Sequence, residues 1–163
     1  MTETAYRFPP PETVCKLLTG MLGRHVSVTK SLSWDVRSRT PKLFGIYKES
    51  VKGSTGVCVL DLPLAAYSGA ALVLFPGPVA EDAIRSGVLE DSLLDGAHEV
   101  LSMSMRVFNE STGAHVTLCG VCHQLQELPK EAIAAIASPA ARLDMEVSVT
   151  GYGRGRMTMI MGR

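Results

Sequence analysis

The sequence predicts an α+β fold, a largely antiparallel sheet flanked by one long helix and several shorter ones. Three observations carry that expectation. Toward the C-terminus, Leu143, Met145, Val147 and Val149 alternate with Asp144, Glu146, Ser148 and Thr150. Met157, Met159 and Met161 resume the alternation after the glycine-rich link 151–155, as expected of a hairpin with one apolar face. Between Asp91 and Phe108 the apolar residues instead recur at helical spacing. Strand-like runs dominate both ends of the chain, and helical runs lie between them.

Taken in order, residues 1–10 form a stiff, extended lead-in ending in prolines, and Pro11 suits the first turn of a helix. Val14, Leu17, Leu18, Met21 and Leu22 follow the i, i+3, i+4, i+7, i+8 rule, and Gly23 ends that helix. His25 to Trp34 reads as a strand, and the polar stretch up to Lys42, which contains Pro41, reads as a loop. Leu43 to Glu49 and Gly56 to Leu62 are two further strands around a turn at Gly53-Ser54.

Leu62 to Ala80 is uncharged, but Pro63, Pro76, Pro78 and the Ser68-Gly69 pair interrupt it. A membrane-spanning helix needs about 20 continuous apolar residues, so no membrane insertion is expected. Gly69 to Phe75, closed by Pro76, reads as a buried central strand. Pro78 to Ser86 is a short helix ended by Gly87, and Asp91 to Phe108 a long one of about five turns. A turn at 109–113 leads into a strand from His115 to Val121, which Leu125 to Leu128 would extend. Pro129 then opens an alanine-rich helix that stops near Ser138-Pro139.

At 163 residues, with 46% apolar and 20% charged residues, the chain suits a single domain spanning 1–163. Sixteen basic and sixteen acidic residues cancel, so no global field favours nucleic acid. The N-terminal residues contain no apolar export segment, which points to a cytoplasmic protein with reduced cysteines. Cys15 and Cys58 read as small core residues. Cys119-Gly-Val-Cys122-His123 spells the C-x-x-C-H of haem attachment, but it falls on a predicted strand, where residues three apart face opposite ways. The histidines show no metal-ligand spacing, so neither a metal nor a cofactor is implied. Gly151 to Gly155 joins two strands instead of opening a helix, so it reads as a turn and not a phosphate loop.

The remaining candidate chemistry lies on the long helix. At 100° per residue, Asp95, Glu99, Ser102 and Arg106 fall in a sector roughly 60° wide, opposite Leu93, Ala97, Val100, Leu101 and Phe108. On its own such a row describes a solvated surface. Ser92 and Asp95 also form a capping-box-like pair that would account for Asp95 through helix initiation.

Three strings resemble the CheC/CheX/FliY family of chemotaxis phosphatases and flagellar switch proteins. They are LLTGMLGRHVSV at the first helix, GAALVLFPGPVAEDAI in the middle, and Asp95-Gly-Ala-His-Glu99-Val-Leu-Ser102 on the long helix. The resemblance implies a CheX-like domain that docks a CheY-type response-regulator receiver domain through the polar helix face. It implies that Glu99 engages the receiver's active-site lysine and that Asp95 and Arg106 flank the contact. In the family an Asn carboxamide orients the attacking water, and Ser102 stands at that position. Its hydroxyl is shorter by about two bonds, which implies weak or absent phosphatase action. The alternative is an active aspartyl-phosphate phosphatase in which Glu99 docks and Ser102, or a neighbour such as Asp95, positions water. A third option is a homodimer paired through edge strands. Asn109, two turns further on, cannot replace the missing amide from its place in the chain.

Overall fold

The C-terminal end of the chain folds back into the middle of the sheet. In the computed structural model, which describes residues 6–163, β5 (Ala141–Val149) and β6 (Gly153–Met161) form an antiparallel hairpin in the middle of a six-stranded sheet. Residues 1–5 of the expected lead-in lie outside the described residues. The other strands are β1 (Val26–Lys30), β2 (Lys42–Glu49), β3 (Thr55–Asp61) and β4 (Val116–Cys122). Their spatial order is β1-β5-β6-β3-β2-β4, and each neighbouring pair is antiparallel. The helices are α1 (Pro11–Leu22), α2 (Leu62–Val73), α3 (Gly77–Ser86), α4 (Asp91–Met103), α5 (Met105–Thr112) and α6 (Lys130–Ala137).

The larger core lies between one sheet face and α1, α2, α4 and α5. Leu18, Tyr47, Leu101, Phe108, Met145 and Met159 are among its fully enclosed side chains. A smaller core covers the other face, where Phe44, Ile46, Val59 and Ile160 meet Ala132 and Ile136 of α6 and the half-buried Trp34. The hairpin therefore does not keep the single apolar face that its alternation suggests. Thr158 and Ile160 are as buried as Met157 and Met159. The Trp34 indole N–H donates to the Thr158 hydroxyl at 2.7 Å, and that hydroxyl donates to Asp144 at 2.8 Å. Arg142 pairs with Asp144 and also donates to the Trp34 carbonyl at 2.6 Å. This satisfied network closes the loop after β1 over polar positions of the hairpin.

The largest departure from expectation is Gly69 to Phe75, which is not a strand. Most of it is the second half of α2. The Asp61 carboxylate accepts the Leu64 N–H at 2.9 Å and so starts the helix, while Pro63 sits in the first turn, where a missing N–H costs nothing. Ala65, Ala66, Ser68, Gly69, Ala70 and Ala71 are all buried, so this helix has no polar stripe to mark its period. Ser68 satisfies its hydroxyl on the Leu64 carbonyl at 2.7 Å.

The first strand stops at Lys30, well short of Trp34. The long helix is two, separated at Ser104, and 109–112 belong to α5 instead of forming a turn. Leu125–Glu127 is a single 3-10 turn and does not extend β4.

Candidate functional site: the exposed face of α4

Two backbone contacts set the position of α4. A Cβ on Gly69 of α2 would lie 2.5 Å from the Leu93 carbonyl oxygen, and one on Gly96 of α4 would lie 2.6 Å from the Gly69 carbonyl oxygen. The two helices therefore cross main chain to main chain. Glycine in a helix interior costs about 1 kcal/mol relative to alanine, and here the closer approach accounts for it. Beneath, Leu93, Ala97, Val100 and Leu101 are buried in the core.

The C-terminal end of α4 is fixed from the sheet. The hydroxyl of Tyr47 on β2, fully buried, donates to the Leu101 carbonyl at 2.5 Å. In an unbroken helix that carbonyl would serve Met105, and the chain divides into α4 and α5 at this point. The buried Ser104 hydroxyl donates to the Val100 carbonyl at 2.7 Å, and Tyr47 stacks on Phe108 of α5 with ring centroids 4.6 Å apart.

On the outer surface, Asp95 and Glu99 are exposed and Ser102 is half-buried, all three on α4. They span about 10 Å at 1.5 Å per residue. Arg106 is exposed but lies past the Ser104 break, on α5. No ion pair or side-chain hydrogen bond joins these four among the described residues. Asp95 does not initiate the helix either: α4 begins at Asp91 behind Glu90, with no side-chain cap. Asn109 is engaged elsewhere, its amide oxygen accepting the Val116 N–H at 2.6 Å and tying α5 to β4.

His98 flanks the row, and its Nε2 is enclosed with no hydrogen-bond partner among the described residues; its ring centroid lies 6.4 Å from that of His123. The C-x-x-C-H string occupies the end of β4, where the pairing with β2 slips by one residue between Ile46 and Tyr47 and leaves Cys119 as an unpaired bulge. The Cys119 and Cys122 thiols donate to different carbonyls, of Thr117 and Glu127. Among the described residues no three His, Cys, Asp or Glu side chains converge as a metal site. No helix there is long and apolar enough to cross a membrane.

By sequence the chain matches no family model and no curated protein. Its structure is similar to several solved ones. In the FliM–SpeE complex from H. pylori, the matching chain shares 13% identity, with 93% of this chain and 81% of that chain covered at a TM-score of 0.64. The fold is CheC/CheX/FliM-like. Thermotoga maritima FliY matches at 12% identity and TM-score 0.55, over 90% of this chain and 80% of that one. A chain of the CheX–CheY–BeF3–Mg complex from Borrelia burgdorferi matches at 10% identity and TM-score 0.51, over 91% and 92%.

The CheC/CheX/FliM-like fold agrees with the expected α+β class and with the family that the three strings resemble. Sequence reasoning missed Gly69, Gly96 and Tyr47, the residues that position α4. Gly96 did leave a signal, as a lone glycine inside an otherwise strong helical pattern.

Proposed function

We propose that this chain is a CheX-like signalling domain that docks a CheY-type receiver domain through the outer face of α4, with weak or no phosphatase action. Glu99 would supply the ionic contact, Asp95 and Arg106 would flank it, and Ser102 would stand where water must be oriented. The observation that carries the reading is the exposed row itself. Among the described residues two carboxylates and a hydroxyl stand without side-chain partners on a helix fixed in place by a glycine crossing and a buried tyrosine. A docking face gains from such rigidity because less is lost on binding. The solved neighbours support the class of activity, since one is a CheX–CheY complex and others are FliM complexes with SpeE and FliG.

Ser102 argues for binding over hydrolysis. Positioning of water and charge is most of what a protein contributes to acyl-phosphate hydrolysis, and a serine on a half-buried helical site reaches less far than an amide. Homodimerisation would use β1 or β4, the two strands with a single neighbour each; sedimentation across a concentration series tests it.

The deciding experiment titrates the chain against BeF3-activated CheY-type receiver domains and follows the decay of the phosphorylated forms. Saturable binding that Glu99→Ala weakens by about tenfold or more, with unchanged decay, is the expected result. Accelerated decay lost in Glu99→Ala would favour the phosphatase. Absence of both would leave the fold without this function.

A further inference from the structure

A concavity of about 750 Å³ shares none of its lining with the four residues of the α4 row, and its size is that of a small-molecule site. Its walls are the 37–41 loop with Lys42 at the start of β2, the 87–89 link between α3 and α4, and residues 123–126 after β4. Leu43 of β2 and Leu62 of α2, both almost fully buried, close its base. The chain as a whole is neutral, yet this lining is of one sign: Arg37, Arg39 and Lys42 contribute to it, and no Asp or Glu does.

The cations divide into two roles. Lys42 is 5% exposed, and its ammonium donates to the Ser38 and Thr40 carbonyls at 2.6 Å each and to the Ser38 hydroxyl at 3.3 Å. All three of its donors are thus spent on fastening the loop. The same loop is tightened by the Arg37 N–H on the Asp35 carboxylate at 2.9 Å and by the contact between the Ser38 and Thr40 hydroxyls at 2.9 Å. Arg37 and Arg39 are therefore carried on a preset turn. Arg37 has one carboxylate neighbour, Asp35 at 3.6 Å, in a pair too exposed to hold it strongly. Arg39 makes no ion pair among the described residues.

We propose that this cavity binds a small organic phosphate with a flat apolar body. Two planar guanidinium forks match the charge and the three terminal oxygens of a phosphate monoester, where a single carboxylate would leave one fork idle. The body lies against the half-buried Leu89 and Leu125, and Gln124 also lines the cavity. His123, which also lines the cavity, has its ring centroid 6.4 Å from that of His98 on α4. Cavity binding and receiver docking would use separate residues.

The test titrates the full chain with 1-naphthyl phosphate, observed by NMR. The comparison ligands are 1-naphthol, inorganic phosphate and hexaglutamate. The variants are Arg37→Ala/Arg39→Ala and, as a control on an exposed cation of α3, Arg85→Ala. Saturable binding of 1-naphthyl phosphate is expected. It should be weaker by about tenfold or more in the double variant, retained in Arg85→Ala, and weaker for each comparison ligand. Equal binding of 1-naphthol or inorganic phosphate, tighter binding of hexaglutamate, equal affinity in the double variant, or no saturation at millimolar ligand would each overturn the proposal.

Discussion

The Tyr47 hydroxyl crosses from the sheet to the last turn of α4 and donates to the Leu101 carbonyl at 2.5 Å, one residue before Ser102. Burial holds the Tyr47 phenol well above its ordinary pKa, so it remains a donor throughout the working pH range. Tyr47→Phe keeps the ring and its stacking on Phe108 but leaves the carbonyl without this partner. A loss of about 1–3 kcal/mol is expected in urea denaturation, with faster amide exchange confined to residues 102–106. An unchanged midpoint would mean that the α4–α5 break is set by Ser104 alone.

The glycine crossing makes a sharper prediction. Alanine is the better helix former by about 1 kcal/mol, so an exposed Gly→Ala change in a helix stabilises. Gly96→Ala and Gly69→Ala should both do the reverse, because the added methyl meets backbone that cannot rotate away. A net destabilisation of roughly 1–3 kcal/mol is expected from each. The double variant should cost less than the sum, since one displacement of α2 from α4 relieves both clashes. Thermal unfolding of the three variants is sufficient.

At the proposed docking face, Ser102→Asn should fold as the parent does, since the position is only half-buried and makes no side-chain hydrogen bond among the described residues. If the face engages a phosphorylated receiver, the longer amide should raise the rate of phosphate loss by about tenfold or more, and adding Glu99→Ala should remove the gain. An Asn variant that binds but does not accelerate would assign the face to docking alone.

Two buried or engaged carboxylates should respond to pH with opposite signs. Burial raises the pKa of Asp61, an effect only partly opposed by the Leu64 and Arg156 N–H groups and by the charges of Arg156 and Lys42. The folded state therefore holds the proton more tightly than the unfolded state, and this group's contribution weakens as pH rises through the raised value. Asp61→Asn keeps the helix cap and removes the buried charge. Its stability relative to the parent should improve from acid to neutral pH, whereas Asp61→Ala should lose about 1 kcal/mol of capping.

Glu49 is the converse case. The Val51, Lys52 and Ser54 N–H groups hold its carboxylate below the usual range, with the Val51 bond foremost. Its contribution is complete above the ordinary carboxylate pKa and lost as pH falls through the lowered folded value. Glu49→Gln should flatten the acid limb of the stability curve, read from denaturation midpoints between pH 3 and pH 7.

The thiols should react in order of access. Cys119 is exposed, Cys122 is half-buried with its pKa raised by burial and by Glu127, and Cys58 is fully buried with its pKa raised well above the ordinary thiol value by burial. Iodoacetamide labelling followed by mass spectrometry should modify Cys119 first and leave Cys58 untouched until the chain unfolds. Early labelling of Cys58 would mean that the core opens readily.

The sequence reveals elements wherever burial is one-sided. Val14 to Leu22, Leu93 to Leu101 and Leu143 to Val149 each show a clean period because one face meets solvent or a polar layer. It misleads where an element is enclosed on all sides, as in α2, whose alanines and Gly69 carry no period and whose Phe75-Pro76 ending imitates the close of a buried strand. Gly153 and Gly155 are a second instance. The turn itself needs only Gly151, with φ of +86°, whereas a Cβ on the other two would strike the Tyr67 ring and the Leu64 N of α2. The candidate row was legible because side-chain identity and helical phase suffice to place it. The Ser104 break was not, because the sheet contact made there comes from Tyr47, 54 residues before the Leu101 carbonyl that it engages.

The strand order also governs when the protein can fold during its own synthesis. β2 can pair with β3 and β4 early, but β1 has β5 as its sole neighbour in the sheet, and β3 completes its second side only with β6. Until the residues from Ala141 onward emerge from the ribosome, the N-terminal helix and strand have no sheet to join. The apolar face of α1 and the side of α2 that packs on β6 stay uncovered meanwhile. Such long-range closure is slow, so this chain should depend on holding chaperones more than its size suggests, and chains stalled before the final hairpin should be efficiently degraded.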